Sequence, residues 1–249
     1  TASDITAVTT PALGLVAAYA FNEGTGTTTA DSSGRANNGT ITAATWTTAG
    51  KFGNALRFNG TSALVTVPNS SSLALTTGMT VEAWVMPAAV PSGWRTILHK
   101  NVDRFYLFAS SDTNRPATGG TFTAGNQNTY GPSALAANVW THLAGTFDGT
   151  TVRLYVNGVQ VASQAQATPL TTSTGTLQIG GSGFGEYFNG WIDELRIYNV
   201  ALTAAQILAD MNTAIGGVTG VPDLTVTKTH VGNFTQGQVG ATYTITATN

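Results

Sequence analysis

Apolar and polar residues alternate along most of this chain in short runs, each closed by Gly, Asn, Ser, Thr or Pro. Successive side chains of an extended strand point to opposite faces, so every such run predicts a half-buried strand of a sandwich or barrel. The expected strands are Leu15–Phe21, Ala55–Phe58, Ala63–Val67, Met79–Val85, Thr141–Phe147, Thr151–Val156, Val159–Val161, Leu177–Gly180 and Gly190–Tyr198. Asp148-Gly149 and Asn157-Gly158 fall between the middle three and predict two tight hairpins, because Gly tolerates the positive φ such turns need. Only Thr203–Met211 carries a helical pattern, with Thr203 as N-cap and Gln206 three residues on, the spacing of a capping box.

Beyond that helix, Gly216-Gly217-Val218-Thr219-Gly220-Val221-Pro222 reads as a linker (216–222). Asp223–Lys228 and Ala241–Ala247 alternate again, and two strands are too few for an independent domain, so 223–249 reads as the start of a second β domain. Residues 1–14 hold few large apolar side chains and read as an arm or linker; the opening Thr1-Ala2-Ser3-Asp4 lacks the regions of a signal peptide. The chain is thus expected to be a processed or trimmed fragment.

Composition narrows the function. Charged residues make up 9% of the 249 positions, and ten Lys+Arg against twelve Asp+Glu leave a formal net charge of −2. With no basic cluster to neutralise phosphates or anionic lipids, nucleic acid and membrane surfaces are excluded as partners. The absence of cysteine removes disulfides, thiolate metal sites and a thiol nucleophile together. No run approaches the length of a membrane-spanning helix.

Several segments then carry a resemblance: Phe21-Asn22-Glu23-Gly24-Thr25-Gly26 with Asp31-Ser32-Ser33-Gly34, Asn38-Gly39, Gly53–Gly60, the double hairpin Trp140–Gly158, and Ile192–Asn199 with Ala201-Leu202. In this order and spacing they resemble the laminin-G-like, concanavalin A-like domains of bacterial surface proteins. The resemblance implies an all-β, two-sheet antiparallel jelly-roll sandwich over residues 15–215, with one short C-terminal helix. It also implies a binding module of a secreted, adhesive or carbohydrate-active protein, often with one structural calcium. The tail from Pro222 on resembles the start of an Ig-like surface repeat.

Asp193 is the first carboxylate to consider, because in strand alternation it shares a face with Trp191, Leu195 and Ile197, which should point inward. A buried carboxylate needs hydrogen bonds or a metal. Calcium takes hard oxygen ligands, and the loop 22–34 offers Asn22, Glu23 and Asp31; first and last jelly-roll strands are commonly neighbours, so these could meet Asp193 at a Ca²⁺ ion. The alternative is that Asp193 accepts backbone N–H groups and Asp31-Ser32-Ser33-Gly34 is only a turn. Glycoside hydrolysis would need two carboxylates across one cleft. Glu82 stands alone on its strand and Asp193-Glu194 are adjacent, hence on opposite faces, so no catalytic pair is expected. His142 reads as a packing residue and His99 as solvated surface.

Recognition chemistry gathers in 91–131, which reads as irregular. Sugars stack on aromatic rings and bond to amides and guanidinium groups, so Trp94, Arg95, Arg104, Asn126, Gln127, Asn128 and Tyr130 are the candidate ligand residues. The glycine-rich Gly181–Phe188 is a second loop that exposes aromatics. The expected role is a non-catalytic extracellular module binding carbohydrate or a surface protein. Two alternatives stand: a spacer or fibre subunit self-associating through the C-terminal strands, and a glycosidase.

Overall fold

The computed structural model describes residues 13–216, together with the backbone of Thr225–Thr229 and Thr244–Thr248. The chain divides into two units, Thr1–Gly216 and Gly217–Asn249. In the first, the strands run in chain order β1 (Leu15–Tyr19), β2 (Thr28–Thr29), β3 (Gly39–Thr42), β4 (Thr45–Thr47), β5 (Ala55–Asn59) and β6 (Leu64–Val67). Next come β7 (Met79–Pro87), β8 (Arg95–Lys100), β9 (Phe105–Ser110), β10 (Ala117–Phe122) and β11 (Gly125–Tyr130). The last are β12 (Thr141–Phe147), β13 (Thr151–Val156), β14 (Val159–Ala165), β15 (Leu177–Ile179) and β16 (Asn189–Tyr198), followed by helix α1 (Ala204–Met211). In the second unit β17 (Thr225–Thr229) and β18 (Thr244–Thr248) pair antiparallel, with Thr225 opposite Thr248. The expected arm, the linker beyond Gly216 and the remainder of the tail lie outside the described residues.

Two antiparallel sheets form the sandwich, one ordered β14-β13-β12-β7-β16-β5-β4 and the other β11-β10-β9-β8-β15-β6-β3-β2. The first half of β16 pairs with β5 and its second half with β1, so the first and last strands are neighbours as the sequence suggested. Alternate residues of both sheets meet between them: Val81, Ala83, Val85, Leu143 and Leu154 from one, Val65, Val67, Ile97, Phe105 and Leu107 from the other. Each of these side chains larger than alanine stabilises the fold by roughly 1.5–3 kcal/mol when fully buried. Phe122 and Phe147 meet edge to face across the gap, ring centres 5.0 Å apart. Both expected hairpins form: Gly149 takes φ +89°, and Asn157-Gly158 takes +50° and +77°, the paired positive angles of a type I′ turn.

The structure departs from the sequence reading in 91–131, which is not irregular but forms β8 to β11. Phe105-Tyr106-Leu107-Phe108-Ala109 is buried with apolar side chains on both faces, so it shows no alternation to read. Gly125-Asn126-Gln127-Asn128 is loop-like by propensity, yet pairing with β10 makes it an edge strand.

A second departure concerns β16. Asp193 opposes Trp84 and Arg196 opposes Glu82, so three steps on β16 match two on β7; the extra residue is a bulge at Glu194, held at φ +52°. The bulge reverses the alternation. Ile192, Leu195 and Ile197 enter the core, while Asp193 stands outside it with the face that carries Trp84 and Glu82. Asp193, expected to point inward with Leu195 and Ile197, therefore does not.

Helix α1 covers that outer face. Its capping box forms as expected, Gln206 N–H donating to Thr203 Oγ1 and Thr203 N–H to Gln206 Oε1. Trp84 Nε1 donates to Met211 O at 3.0 Å, Tyr198 Oη to Asp210 Oδ2 at 2.6 Å, and Arg196 to Thr213 O. Glu82, His142, Asp193, Glu194 and Arg196 are buried on this face of the sheet, Arg196 Nη2 lying 3.2 Å from Glu194 Oε2. Burial pushes the Asp193 carboxyl up to about 6, Glu194 up to about 7 and Glu82 well above the usual range. Burial, with help from Arg196, pushes His142 down to about 3.

Candidate functional site

On β9, Phe105 and Leu107 enter the core, so Tyr106 and Phe108 must face outward from the second sheet. There they join Ala117 in a small buried cluster flanked by Trp94 and Tyr130. Trp94 meets Phe108 edge-on with ring centres 4.9 Å apart. Above this aromatic floor opens a cavity of about 270 Å³. Its rim comes from three places: Asn126 and Asn128 on β11, Asp103 in the turn between β8 and β9, and Phe184 and Glu186 in the loop after β15.

Glycine shapes the amide wall. Gly119 stands opposite both Tyr106 and Asn128, and a Cβ there would come 1.9 Å from Gln127 O and 3.2 Å from Tyr106 Oη. Without it, the Tyr106 hydroxyl reaches Asn128 Oδ1 at 2.7 Å and Asn126 Oδ1 at 3.0 Å. The single hydroxyl hydrogen serves one of these oxygens at a time; Asn126 Nδ2 donates to Thr121 Oγ1 at 3.4 Å and Asn128 Nδ2 to Asn126 Oδ1 at 3.5 Å, so each NH₂ keeps one N–H to offer a ligand. The loop Gly181–Phe188 is tied down by Thr96 N–H donating to Glu186 O at 2.9 Å. Glu186 Oε2 accepts from Ser182 Oγ at 2.9 Å, and Phe184 is left 59% exposed at the mouth. Asp103, with φ +53°, brings Oδ1 to 2.9 Å from Nε2 of His99. His99 is buried, not solvated as expected.

Of the seven expected ligand residues, Trp94, Asn126 and Asn128 line the cavity and Tyr130 supports its floor. Arg95 does not enter it: its guanidinium donates to Trp94 O and lines a neighbouring cavity with Tyr187 and Asn189. Arg104 turns away to Thr171 Oγ1. Gln127 falls on the other parity of β11 and accepts from Gln164 Nε2 at 2.6 Å, bridging to the opposite sheet. Sequence reasoning missed Asp103, Tyr106, Phe108 and Glu186, and treated the glycine-rich loop as a separate candidate. The two are one site because β15 pairs with β8, Gln178 opposite His99, so the chain leaving β15 runs beside the start of β8.

The residues expected to share calcium do not fit that role. Asp31 accepts from Ala18 N and Ser33 N through Oδ1, and from Ser33 Oγ and Asn37 N through Oδ2, each at 2.8–2.9 Å. Those four donors occupy the lone pairs a cation would need. Asp193 accepts from Lys51 N and Phe52 N through Oδ2 and from Glu194 N through Oδ1. Glu23 Oε1 takes Thr29 Oγ1 and Ala30 N, and Asn22 Oδ1 takes Asn54 N. Among the described residues no three acidic or histidine side chains are grouped to hold a metal.

The bulge corrects one further expectation. Asp193 and Glu194 do not point to opposite faces: both carboxyl groups lie, with Glu82, on the side of the sheet that α1 covers, where Asp210 of the helix acts on Glu82. They are sealed from solvent, however, so they form no substrate cleft.

A two-sheet antiparallel jelly roll with an aromatic-floored cavity on one outer face is the architecture of a concanavalin A-like module. The chain belongs to the Concanavalin A-like lectin/glucanases superfamily, whose pattern matches residues 59–208. Pappalysin-1 of Mus musculus is 33% identical over 132 residues, which is 49% of this chain and 8% of that protein. Among solved structures, domain 4 of AbnA, a GH43 extracellular arabinanase from Geobacillus stearothermophilus in complex with arabinotriose, superposes with TM-score 0.66 at 25% identity, over 80% of this chain and 98% of that one. The binding domain of Paraclostridial Mosquitocidal Protein 1 shares the fold with TM-score 0.65 at 15% identity, over 80% and 52%. Among the described residues no helix is long and apolar enough to cross a membrane.

Proposed function

We propose that the sandwich is a non-catalytic carbohydrate-binding module of an extracellular protein, and that it holds a saccharide ring in the cavity between Trp94 and Phe184. The observation that carries this reading is the pairing of aromatic surface with Asn126 and Asn128, whose amide oxygens both lie within hydrogen-bond reach of the Tyr106 hydroxyl. Rings stack on the aromatics while hydroxyls meet fixed donors, and fixed groups lose little freedom on binding. The arabinanase domain gives further support, because it is similar over most of this sandwich and its structure holds an oligosaccharide.

A glycan array followed by calorimetry on the full chain tests the reading. Trp94→Ala lowers affinity for the bound glycan at least tenfold, about 1.4 kcal/mol, and leaves the melting temperature within a few degrees because the ring is only half-buried. An unchanged Kd in that variant would remove the cavity from the binding site.

A further inference from the structure

We infer that this cavity filters saccharides by charge, rejecting rings that carry a carboxylate or sulfate and gaining affinity from a ring that carries a free amine. The inference rests on the proposed binding role and adds the ligand class.

Two carboxyl side chains, Asp103 and Glu186, line the cavity, and no lysine or arginine does. They reach it from different elements, the β8–β9 turn and the loop after β15, so both would face one bound ring. Neither is paired with a lysine or arginine, and the one basic group in contact with either is the His99 ring, 2.9 Å from Asp103 Oδ1. Glu186 accepts from the hydroxyls of Ser182 and Thr96, and Asp103 meets only the His99 ring and the hydrogen bonds of its own turn. The closest basic side chains in sequence are all engaged elsewhere: Arg95 on Trp94 O, Arg104 on Thr171, and Lys100, buried, on Asn69 Oδ1 and Gly175 O. The rest of the wall is uncharged, the amides of Asn126 and Asn128 beside four aromatic rings. Trp94, Tyr106, Phe108 and Phe184 bring no positive charge to pair with an anion, whereas an ammonium group is attracted both to a ring face and to a carboxylate.

A neutral sugar can donate its hydroxyls to the same two acids, so the filter does not conflict with binding of neutral glycans. An anionic sugar brings like charge into a recess where water is partly displaced and screening is weaker than on an open surface. The expected order is therefore amine-bearing, then neutral, then anionic, with roughly tenfold separating neutral from anionic at low salt.

The test uses the full chain and matched probes at 20 mM and 500 mM NaCl. These are N-acetylglucosamine oligomers, the corresponding glucosamine oligomers, and lactosamine glycans with and without terminal sialic acid. The stated order at low salt, compressed at high salt and compressed again in the double variant Asp103→Asn with Glu186→Gln, supports the filter. Sialylated glycans binding as tightly as their neutral parents overturn it, and so does an order that survives unchanged in the double variant. A parent chain that binds no saccharide of any charge, with Trp94→Ala indistinguishable from it, overturns the binding role itself. Far-ultraviolet circular dichroism of the double variant separates a lost fold from a lost charge.

Discussion

Replacing Glu82 with glutamine raises the melting temperature of the sandwich at pH 8 and leaves it nearly unchanged at pH 5. Glu82 is buried, neither of its carboxyl oxygens has a hydrogen-bond partner, and the closest cationic candidate, His142 Nε2, is 3.9 Å away. Burial holds its proton on, the nearby Asp210 charge adds to the effect, and Arg196 offsets part of it. Asp193 and Glu194 are shifted the same way, to about 6 and about 7. A carboxyl group with a raised folded pKa contributes stability that is present in full below about pH 4 and is lost as pH rises through the folded value. His142 acts oppositely: neutral in the fold down to about 3, it contributes stability above about pH 6.5 that is lost as pH falls toward 3. Above about pH 6.5 the His142 contribution is already complete, so the buried acids make the parent melt lower as pH rises through about 7, the folded value of Glu194, and on through the raised value of Glu82. Glutamine keeps the shape and removes the titration. A melting temperature a few degrees above the parent's at pH 8, with the two profiles converging toward pH 5, is the expected result. Thermal melts across pH decide it: a variant less stable than the parent at pH 8 would mean that Glu82 is ionised and paired there.

Asp31→Ala lowers the stability of the same unit by about 3 kcal/mol, and by the same amount in EGTA as in millimolar Ca²⁺. Asp31 joins strand β1, through Ala18 N, to its own loop, through Ser33 and Asn37 N. Asn37 in turn donates to Val16 O at 2.7 Å, and its carbonyl accepts from the Tyr19 hydroxyl. Removing the carboxylate leaves several inward-facing N–H groups without an acceptor, which costs more than the average hydrogen bond. Asp31→Asn keeps one oxygen and loses about half as much. Parallel melts in the two buffers give a clear reading, since a loss confined to the calcium sample would make Asp31 a metal ligand after all.

The arrangement separates two tasks. One outer face is sealed by α1 over buried titratable groups and fixes the C-terminal end of the sandwich; the other carries the open aromatic cavity. Both faces depend on strands that the sequence shows only in part, because binding side chains sit at strand edges and turns while the sheets hold them in place.

Period-two alternation, the turns Asp148-Gly149 and Asn157-Gly158, and the capping box at Thr203 are local, so the sequence alone determined the all-β class, most strands of one sheet and the helix. Strands with one face in the core and one toward solvent or a lighter cover print that pattern directly. The sequence could not show β9, because it carries apolar residues on both faces and so has no alternation, nor β11, whose extended form comes from pairing with β10. It also could not show the bulge at Glu194, where one positive φ reverses the facing of the residues before it and moves Asp193 away from Leu195 and Ile197. The cavity follows the same rule. Trp94, Asn126 and Asn128 were legible as chemical types, but only the pairing of β15 with β8 brought Phe184 and Glu186 beside them, since contacts between residues so far apart in the chain are set by sheet register and not by local propensity.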